Sequence, residues 1–84
     1  MLKQLLRSAT SVGANVEEAQ PGQSRADFVD KMAIALKEAR EISYWLRLLA
    51  GSRIGDQSVV DPLASESIEI SRILGAISSK ARKA

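Results

Sequence analysis

The sequence contains no cysteine and no histidine. Without cysteine there can be neither a disulfide framework nor a thiolate metal site. Without histidine the commonest general base and zinc ligand is missing as well. These absences disfavour most hydrolytic and metal-dependent chemistry, so we expect a protein that is not an enzyme and that uses no cofactor, no metal ion and no small-molecule substrate.

Long apolar runs are also missing. No stretch approaches the roughly 20 apolar residues that span a bilayer, and the amino end lacks the uninterrupted apolar core of a signal peptide. We therefore expect a cytoplasmic protein without a membrane partner. Twelve basic and ten acidic residues leave a net charge of +2, which is compatible with nucleic-acid binding but does not argue for it.

The length of 84 residues predicts a single domain, 1–84. A chain this short buries only a modest fraction of its unfolded surface, which leaves a thin margin of stability. Association with further copies is therefore expected.

Proline and glycine are scarce, and they mark the boundaries of the predicted helices. Pro21 and Gly22 form a helix stop, after which Ser24 is suited to cap a new helix, with Asp27 three residues later as a variant capping box. A long helix is predicted to begin there.

A second break follows the long middle helix. Gly51 suits a C-terminal cap, Gly55 suits a turn, and Asp61 with Pro62 reads as an N-cap and first helical position. The chain is therefore predicted to form three helices at about 2–19, 25–50 and 62–82. The predicted fold is all-α, an antiparallel up-and-down helical bundle.

Apolar residues recur at helical spacing in all three segments. In the middle helix the stripe alternates steps of four and three: Phe28, Met32, Ala35, Ala39, Ile42, Leu46 and Leu49. The first helix carries Leu2, Leu5, Leu6, Ala9, Val12, Gly13 and Val16, and the third carries Leu63, Ile70, Leu74, Ile77 and Ala81. Three such stripes are enough to form a three-helix core.

Further apolar residues lie off these stripes. Leaving large apolar side chains in water forgoes about 1.5 to 3 kcal/mol each, so a fourth helix or a neighbouring subunit is expected to cover them. Trp45 lies on the flank of the middle stripe, where a structural or subunit-contact role is favoured over base stacking for it and for Tyr44. The predicted oligomer interface comprises Val29, Leu36, Trp45, Ile68 and Ile73.

The first helix contains residues that isolated helices disfavour. Gly13 and its small neighbours would let another backbone approach closely, which is a reason to tolerate the loss of helix propensity. Asn15 lies near the inner stripe and is predicted to be a buried polar position that fixes register. The alternative is that Asn15 faces solvent beside Glu17 and Glu18.

Basic residues could form a stripe for phosphates. Arg40 and Arg47 stand two turns apart on nearly one face of the middle helix, and the third helix ends in a basic tail. The predicted nucleic-acid-binding set is Arg7, Arg40, Arg47, Arg72, Lys80, Arg82 and Lys83. The alternatives are a solvated face with ordinary ion pairs, such as Lys37 with Glu41, and cations that favour a helix C-terminus.

Residues 7 to 49 resemble a known family. Arg7, Ala9, Ser11, Asn15 and Glu18 match an inner-helix motif, and "SRADFVDKMAIALKEAREISYWLRLL", residues 24 to 49, matches the helix that follows. The ordered set is similar to the small bacterial four-helix-bundle family of 23S ribosomal RNA intervening-sequence proteins. Family members usually carry another helix before the one that holds Arg7, so one bundle helix is expected to be missing from this chain or to lie upstream of it.

The resemblance implies a homo-oligomer, with a pentameric ring as the family expectation. The related accessory variability protein of diversity-generating retroelements binds nucleic acid and a reverse transcriptase, which implies RNA or DNA as a partner. Two functions follow as hypotheses: an oligomeric bundle that binds structured RNA or DNA through basic residues, or a protein interaction module with no nucleic-acid role.

Overall fold

The computed structural model describes residues 2–19, 24–53 and 55–83. These ranges form three helices, α1 (Leu2–Glu18), α2 (Arg25–Ser52) and α3 (Gln57–Lys83), and contain no strand. The all-α prediction is confirmed. No helix in these ranges combines the length and the hydropathy needed to cross a membrane.

The start of α2 agrees with the sequence. Ser24 is extended, with φ −60° and ψ 148°, and its side-chain oxygen accepts a hydrogen bond from the backbone N–H of Asp27 at 3.1 Å. This contact satisfies one of the free N–H groups of the first turn. Pro21 and Gly22, predicted to end the first helix, lie outside the described residues.

The end of α2 differs from the prediction. Gly51 lies within the helix, and the C-terminal cap is Arg53, which adopts the left-handed conformation with φ 55° and donates its N–H to the carbonyl of Ala50 at 3.3 Å. A left-handed arginine is strained relative to glycine, so sequence rules favour the glycine. Gly55, with φ 83°, forms the expected turn.

The predicted start of α3 at Pro62 is wrong, because the helix begins at Gln57. Asp56 occupies the capping position: its carboxylate accepts hydrogen bonds from the backbone N–H of Ser58 at 2.9 Å and from the Ser58 hydroxyl at 2.6 Å. Pro62 then lies inside the helix, where it cannot donate to the carbonyl of Ser58. The capping signal of Asp56 is as good as that of Asp61, and the chain uses the earlier one.

The middle helix forms the centre of the molecule. Both α1 and α3 pack against α2, but no Cα atom of α1 lies within 8 Å of a Cα atom of α3 in the described ranges. The Cα trace measures 43 × 22 × 14 Å, so the three helices form a thin layer. The core cluster comprises Met32, Ala35, Leu36, Ala39 and Leu74.

This core confirms the predicted stripe of α2 and corrects one interface residue. Met32, Ala35 and Ala39 are buried as expected. Leu36 is also buried, with 7% of its surface exposed, because it packs in the core with Leu74 of α3. Leu36 therefore needs no neighbouring subunit to cover it, and its place in the predicted oligomer interface is wrong.

Of the predicted stripe of α3, Leu74 lies in the core, but Leu63, Ile70 and Ile77 do not. The buried residues of this helix are Ala64, Ser67, Leu74 and Ser78. All of them except Leu74 have small side chains. Leu63, Ile70 and Ile77 are 45%, 43% and 40% exposed. Small side chains allow two helices to approach closely, so α3 packs its small residues and Leu74 against α2, while Ile70 lines a groove between α1 and α3.

Candidate functional site

An open apolar groove separates α1 from α3, and α2 forms its floor. We call it the apolar groove; it is lined by Ala9, Val12, Ala39, Ile42, Ser67 and Ile70. The helix α1, which contributes Ala9 and Val12 to this groove, also exposes Leu6 at 61% and Val16 at 42%. The chain therefore presents an apolar concavity where a closed bundle would have a fourth helix.

A regular stripe of exposed apolar residues runs along α3 and includes Ile70, which lines the apolar groove. Its residues follow one another at intervals of three, four or seven positions, and each is at least 40% exposed: Val59, Leu63, Ile70, Ile73 and Ile77. This is the spacing of an apolar stripe that packs against another helix. Ile73, predicted from the sequence to lie at an interface, is 51% exposed and belongs to this stripe.

Among the small residues of α1, Ser8 is buried, but Gly13 does not pack against another helix as predicted. No atom of α2 or α3 lies within 4 Å of the position that a Cβ on Gly13 would occupy. Gly13 is exposed, as is Ala9, which lines the apolar groove. Within the described residues, no other helix therefore packs closely against Gly13, as the sequence had suggested that one would.

Asn15 is half-buried, and its side chain stays within its own helix. Its amide donates to the carbonyl of Ser11 at 2.8 Å and to the Ser11 hydroxyl at 3.3 Å, so it bonds to neither neighbouring helix. Neither the buried position predicted for Asn15 nor its solvent-facing alternative is correct. The buried polar side chains are serines: Ser8, Ser43, Ser67 and Ser78.

Arg7 contacts carboxylates. One terminal nitrogen lies 3.4 Å from Glu41 and the other lies 3.9 Å from Glu38, while Gln4 also accepts from the guanidinium at 3.1 Å. Glu41 therefore pairs with Arg7. The sequence analysis had suggested Lys37 as its partner. An arginine between two carboxylates is a weak candidate for binding a phosphate, so Arg7 joins α1 to α2.

A second ion pair joins the same helices near their other ends. Lys31 of α2 lies 2.7 Å from Glu18 of α1, and the hydrogen bond to Glu18 raises the pKa of Lys31 above its ordinary value. Both side chains are substantially exposed, so this pair contributes little stability. Together with the Arg7 contacts, it shows that α1 and α2 run antiparallel.

The basic residues of α3 fall into two groups. Arg72 lies 2.8 Å from Glu69 of the same helix, and its charge is partly neutralised there. Lys80, Arg82 and Lys83 are exposed in the last turn, where cations are favourable without any ligand.

Sequence reasoning missed the function of Arg25. Its guanidinium donates to the backbone carbonyls of Ala81 at 3.0 Å and Arg82 at 2.6 Å. The first residue of α2 thus caps the end of α3, using carbonyls that have no partner within the helix. No local signal in the sequence indicates these two hydrogen bonds, because the residues that each one joins are separated by more than fifty positions in the chain.

Two predicted phosphate-binding residues meet in a second groove, between α2 and α3. We call it the arginine groove; it is lined by Arg40, Ser43, Arg47, Ile68 and Ser71. Arg40 and Arg47 are exposed, and no carboxylate of the described chain forms an ion pair with either. Ile68, predicted to lie at an interface, is 39% exposed there, whereas Val29 and Trp45 are half-buried on α2.

The residues of the predicted binding set therefore do not form one surface. The structure brings Arg40 and Arg47 together in the arginine groove, and it engages Arg7 with carboxylates on the side of α2 that faces α1. The basic tail lies beside Arg25, at the opposite end of α2 from Arg47. In the arginine groove Arg40 and Arg47 lie on a concave surface and form no ion pair within the described residues, and the Nε of Arg47 donates to the backbone carbonyl of Ser43 at 3.3 Å.

Comparison with known protein families identifies the chain. A family model described as 23S rRNA-intervening sequence protein matches residues 1–76. The chain belongs to this family. A search of curated proteins gives no match.

A solved structure extends the comparison to the fold of this intervening-sequence protein. It is a protein of unknown function from the S23 ribosomal protein family of Bacteroides thetaiotaomicron VPI-5482, 47% identical, with a TM-score of 0.77. The match covers 92% of this chain and 69% of that chain. Nearly a third of the neighbour therefore has no counterpart in the match.

Proposed function

We propose that this intervening-sequence protein is a non-enzymatic, cytoplasmic helical bundle that assembles into a homo-oligomer and binds RNA or DNA through phosphate contacts in the arginine groove. The observation that carries the proposal is that Arg40 and Arg47 are both exposed, face the same groove and form no ion pair with a described carboxylate.

The chemistry of the groove suits phosphate. A guanidinium binds phosphate oxygens through a planar fork of N–H donors, and the carboxylates nearest to Arg40 in sequence are engaged by Arg7. Binding of this kind releases counterions and depends steeply on salt. Because the contacts are to phosphates, little sequence preference is expected.

Assembly would make a weakly charged chain an effective binder. A single copy has a net charge of only +2, but a ring brings several arginine grooves to one nucleic acid, and linked sites gain affinity through their high effective concentration. The family expectation is five copies. The apolar groove supports assembly because a helix of a neighbouring copy would cover its exposed edges.

The test is a titration of fluorescein-labelled RNA with the purified chain at several salt concentrations. Arg40→Glu and Arg47→Glu, made singly, should each weaken binding and flatten the plot of log affinity against log salt by about 0.7 to 0.9 per lost phosphate contact. Lys3→Glu is the matched control, because it makes the same charge change on α1, away from the arginine groove. Equal losses for all three variants would show that only net charge matters and would overturn the assignment.

The second candidate is an interaction module that binds protein and no nucleic acid. It is favoured by the apolar groove, which Ile70 lines with 43% of its surface exposed. Ile70→Asp should then lower the mass measured by light scattering coupled to gel filtration, while the arginine variants leave it unchanged. Leu48→Asp is the control, since Leu48 is 45% exposed and does not line the apolar groove.

A further inference from the structure

An exposed aromatic side chain lies between the two arginines of the arginine groove. Tyr44 is 53% exposed and stands four residues after Arg40 and three before Arg47, which places all three on one face of α2. Lys37 extends this face by one more turn and is exposed. The positions 37, 40, 44 and 47 thus form a stripe of three cations and one aromatic ring, which we call the Tyr44 face.

We infer that the Tyr44 face is a stacking platform for an unpaired nucleobase, so that the chain binds single-stranded RNA or DNA in preference to a duplex. The inference rests on the proposed function and adds to it the class of nucleic acid. It assigns to Tyr44 the base contact and to Arg40 and Arg47 the phosphates on either side of that base.

Packing of the ring supports this assignment. The Tyr44 ring makes an edge-to-face contact with Trp45, with ring centroids 5.3 Å apart and an interplanar angle of 74°. Such a contact restrains the ring while more than half of the residue remains exposed to solvent. A restrained, exposed ring loses little conformational freedom when a base stacks on it.

The spacing of the cations suits a single strand. Seven residues separate Arg40 from Arg47, which is about 10.5 Å along the helix axis, and Tyr44 lies between them. A strand that follows the face can therefore place one base on the ring while its flanking phosphates meet the two guanidinium groups. In a duplex the bases are already stacked and paired, so the ring would have no base to contact.

The electrostatics of this face favour an anionic ligand. Glu41 is the acidic residue nearest to Tyr44 in sequence, and its carboxylate is held by Arg7 at 3.4 Å on the side that faces α1. In the described chain neither Lys37 nor Arg40 forms an ion pair. Ile68 adds an apolar wall to the arginine groove, against which a ribose can pack.

The experiment compares a short fluorescein-labelled oligoadenylate with a blunt, perfectly paired RNA duplex of equal phosphate count, using fluorescence anisotropy at fixed salt. The wild-type chain should bind the single strand more tightly. Tyr44→Leu should weaken single-strand binding about 5- to 100-fold, the loss expected for one stacked base, and leave duplex binding unchanged. Tyr44→Phe keeps the ring and should retain wild-type affinity.

A second readout separates stacking from a structural effect of the substitution. Trp45 is the only tryptophan, and its ring touches that of Tyr44, so a base on Tyr44 should change the Trp45 emission in the wild type and in Tyr44→Phe. Circular dichroism of each variant checks that helicity is retained.

The outcomes distinguish this inference from the function on which it rests. If Arg40→Glu weakens binding while Tyr44→Leu does not, or if the duplex binds as tightly as the single strand, the stacking platform is overturned and phosphate binding stands. If neither nucleic acid binds, both are overturned. A fall in single-strand affinity in Tyr44→Leu, with retention in Tyr44→Phe, supports the inference.

Discussion

Ser8 offers the sharpest test of the packing between α1 and α2. Its side chain is fully buried, with 0% of its surface exposed, and its hydroxyl has no hydrogen-bond partner in the structure. A buried polar group without a partner loses its hydrogen bonds to water and gains none in the protein, which costs about 1 to 3 kcal/mol. Replacement by alanine removes the hydroxyl and leaves the methylene packing in place, so Ser8→Ala should raise the free energy of unfolding.

Ser67 supplies the matched control. It is also a helical serine, 7% exposed, but its hydroxyl donates to the carbonyl of Ala64 at 2.7 Å. Both replacements gain the same helix propensity, about 0.5 kcal/mol, so their difference isolates the hydroxyl. We expect Ser8→Ala to be more stable than Ser67→Ala by about 1 to 3 kcal/mol.

Thermal unfolding followed by circular dichroism measures this difference. For a domain of this size each kcal/mol shifts Tm by about 4 to 8 °C, so the two variants should be well separated. Equal Tm values, or a Ser8→Ala variant less stable than wild type, would refute the reasoning, because the Ser8 hydroxyl would then have a partner in solution.

Three further predictions concern the core and the helix ends. Leu74→Ala should lower the free energy of unfolding by about 2 to 5 kcal/mol, whereas Ile73→Ala, at a residue that is 51% exposed, should change it much less; urea titration separates the two. Hydrogen bonds from Ser58 hold the pKa of the Asp56 carboxyl below its ordinary value of 3.8, so its contribution to stability is present above that pH and is lost as pH falls through the lowered pKa. The stability difference between wild type and Asp56→Asn should therefore shrink in melts below about pH 4. Arg25→Ala frees the last carbonyls of α3, and amide exchange should be faster near residues 80–83, while a control Arg72→Ala leaves that end unchanged.

Much of the fold could be predicted because it depends on interactions between residues that are close together in the sequence. The period of the middle stripe located the core of α2, and the serine at position 24 located its start, because both signals act within a few residues. The C-terminal end of α2 and the start of α3 were placed wrongly, because the chain caps each helix at a residue other than the one predicted from the sequence. Arg53 prevailed over Gly51, and Asp56 over Asp61.

The candidate site was only partly predictable. The seven-residue spacing of Arg40 and Arg47 correctly placed them on one face, because helix geometry alone determines it. The partners of Arg7 and the cap supplied by Arg25 depend on contacts between helices, which no local pattern encodes. Apolar periodicity identified the apolar stripe of α3. It did not show which side of α3 packs against α2, because small residues make most of that contact.

The position of α2 between α1 and α3 has a consequence for the dynamics of the chain. In the described ranges the close backbone approaches of α1 are all to α2 and none is to α3, so α1 can detach with little disturbance of the interface between α2 and α3. Such a unit opens at a lower free energy than the whole domain. Native-state hydrogen exchange should therefore show two tiers of protection, with the amides of α1 exchanging by subglobal opening and those at the centre of α2 only when the entire chain unfolds.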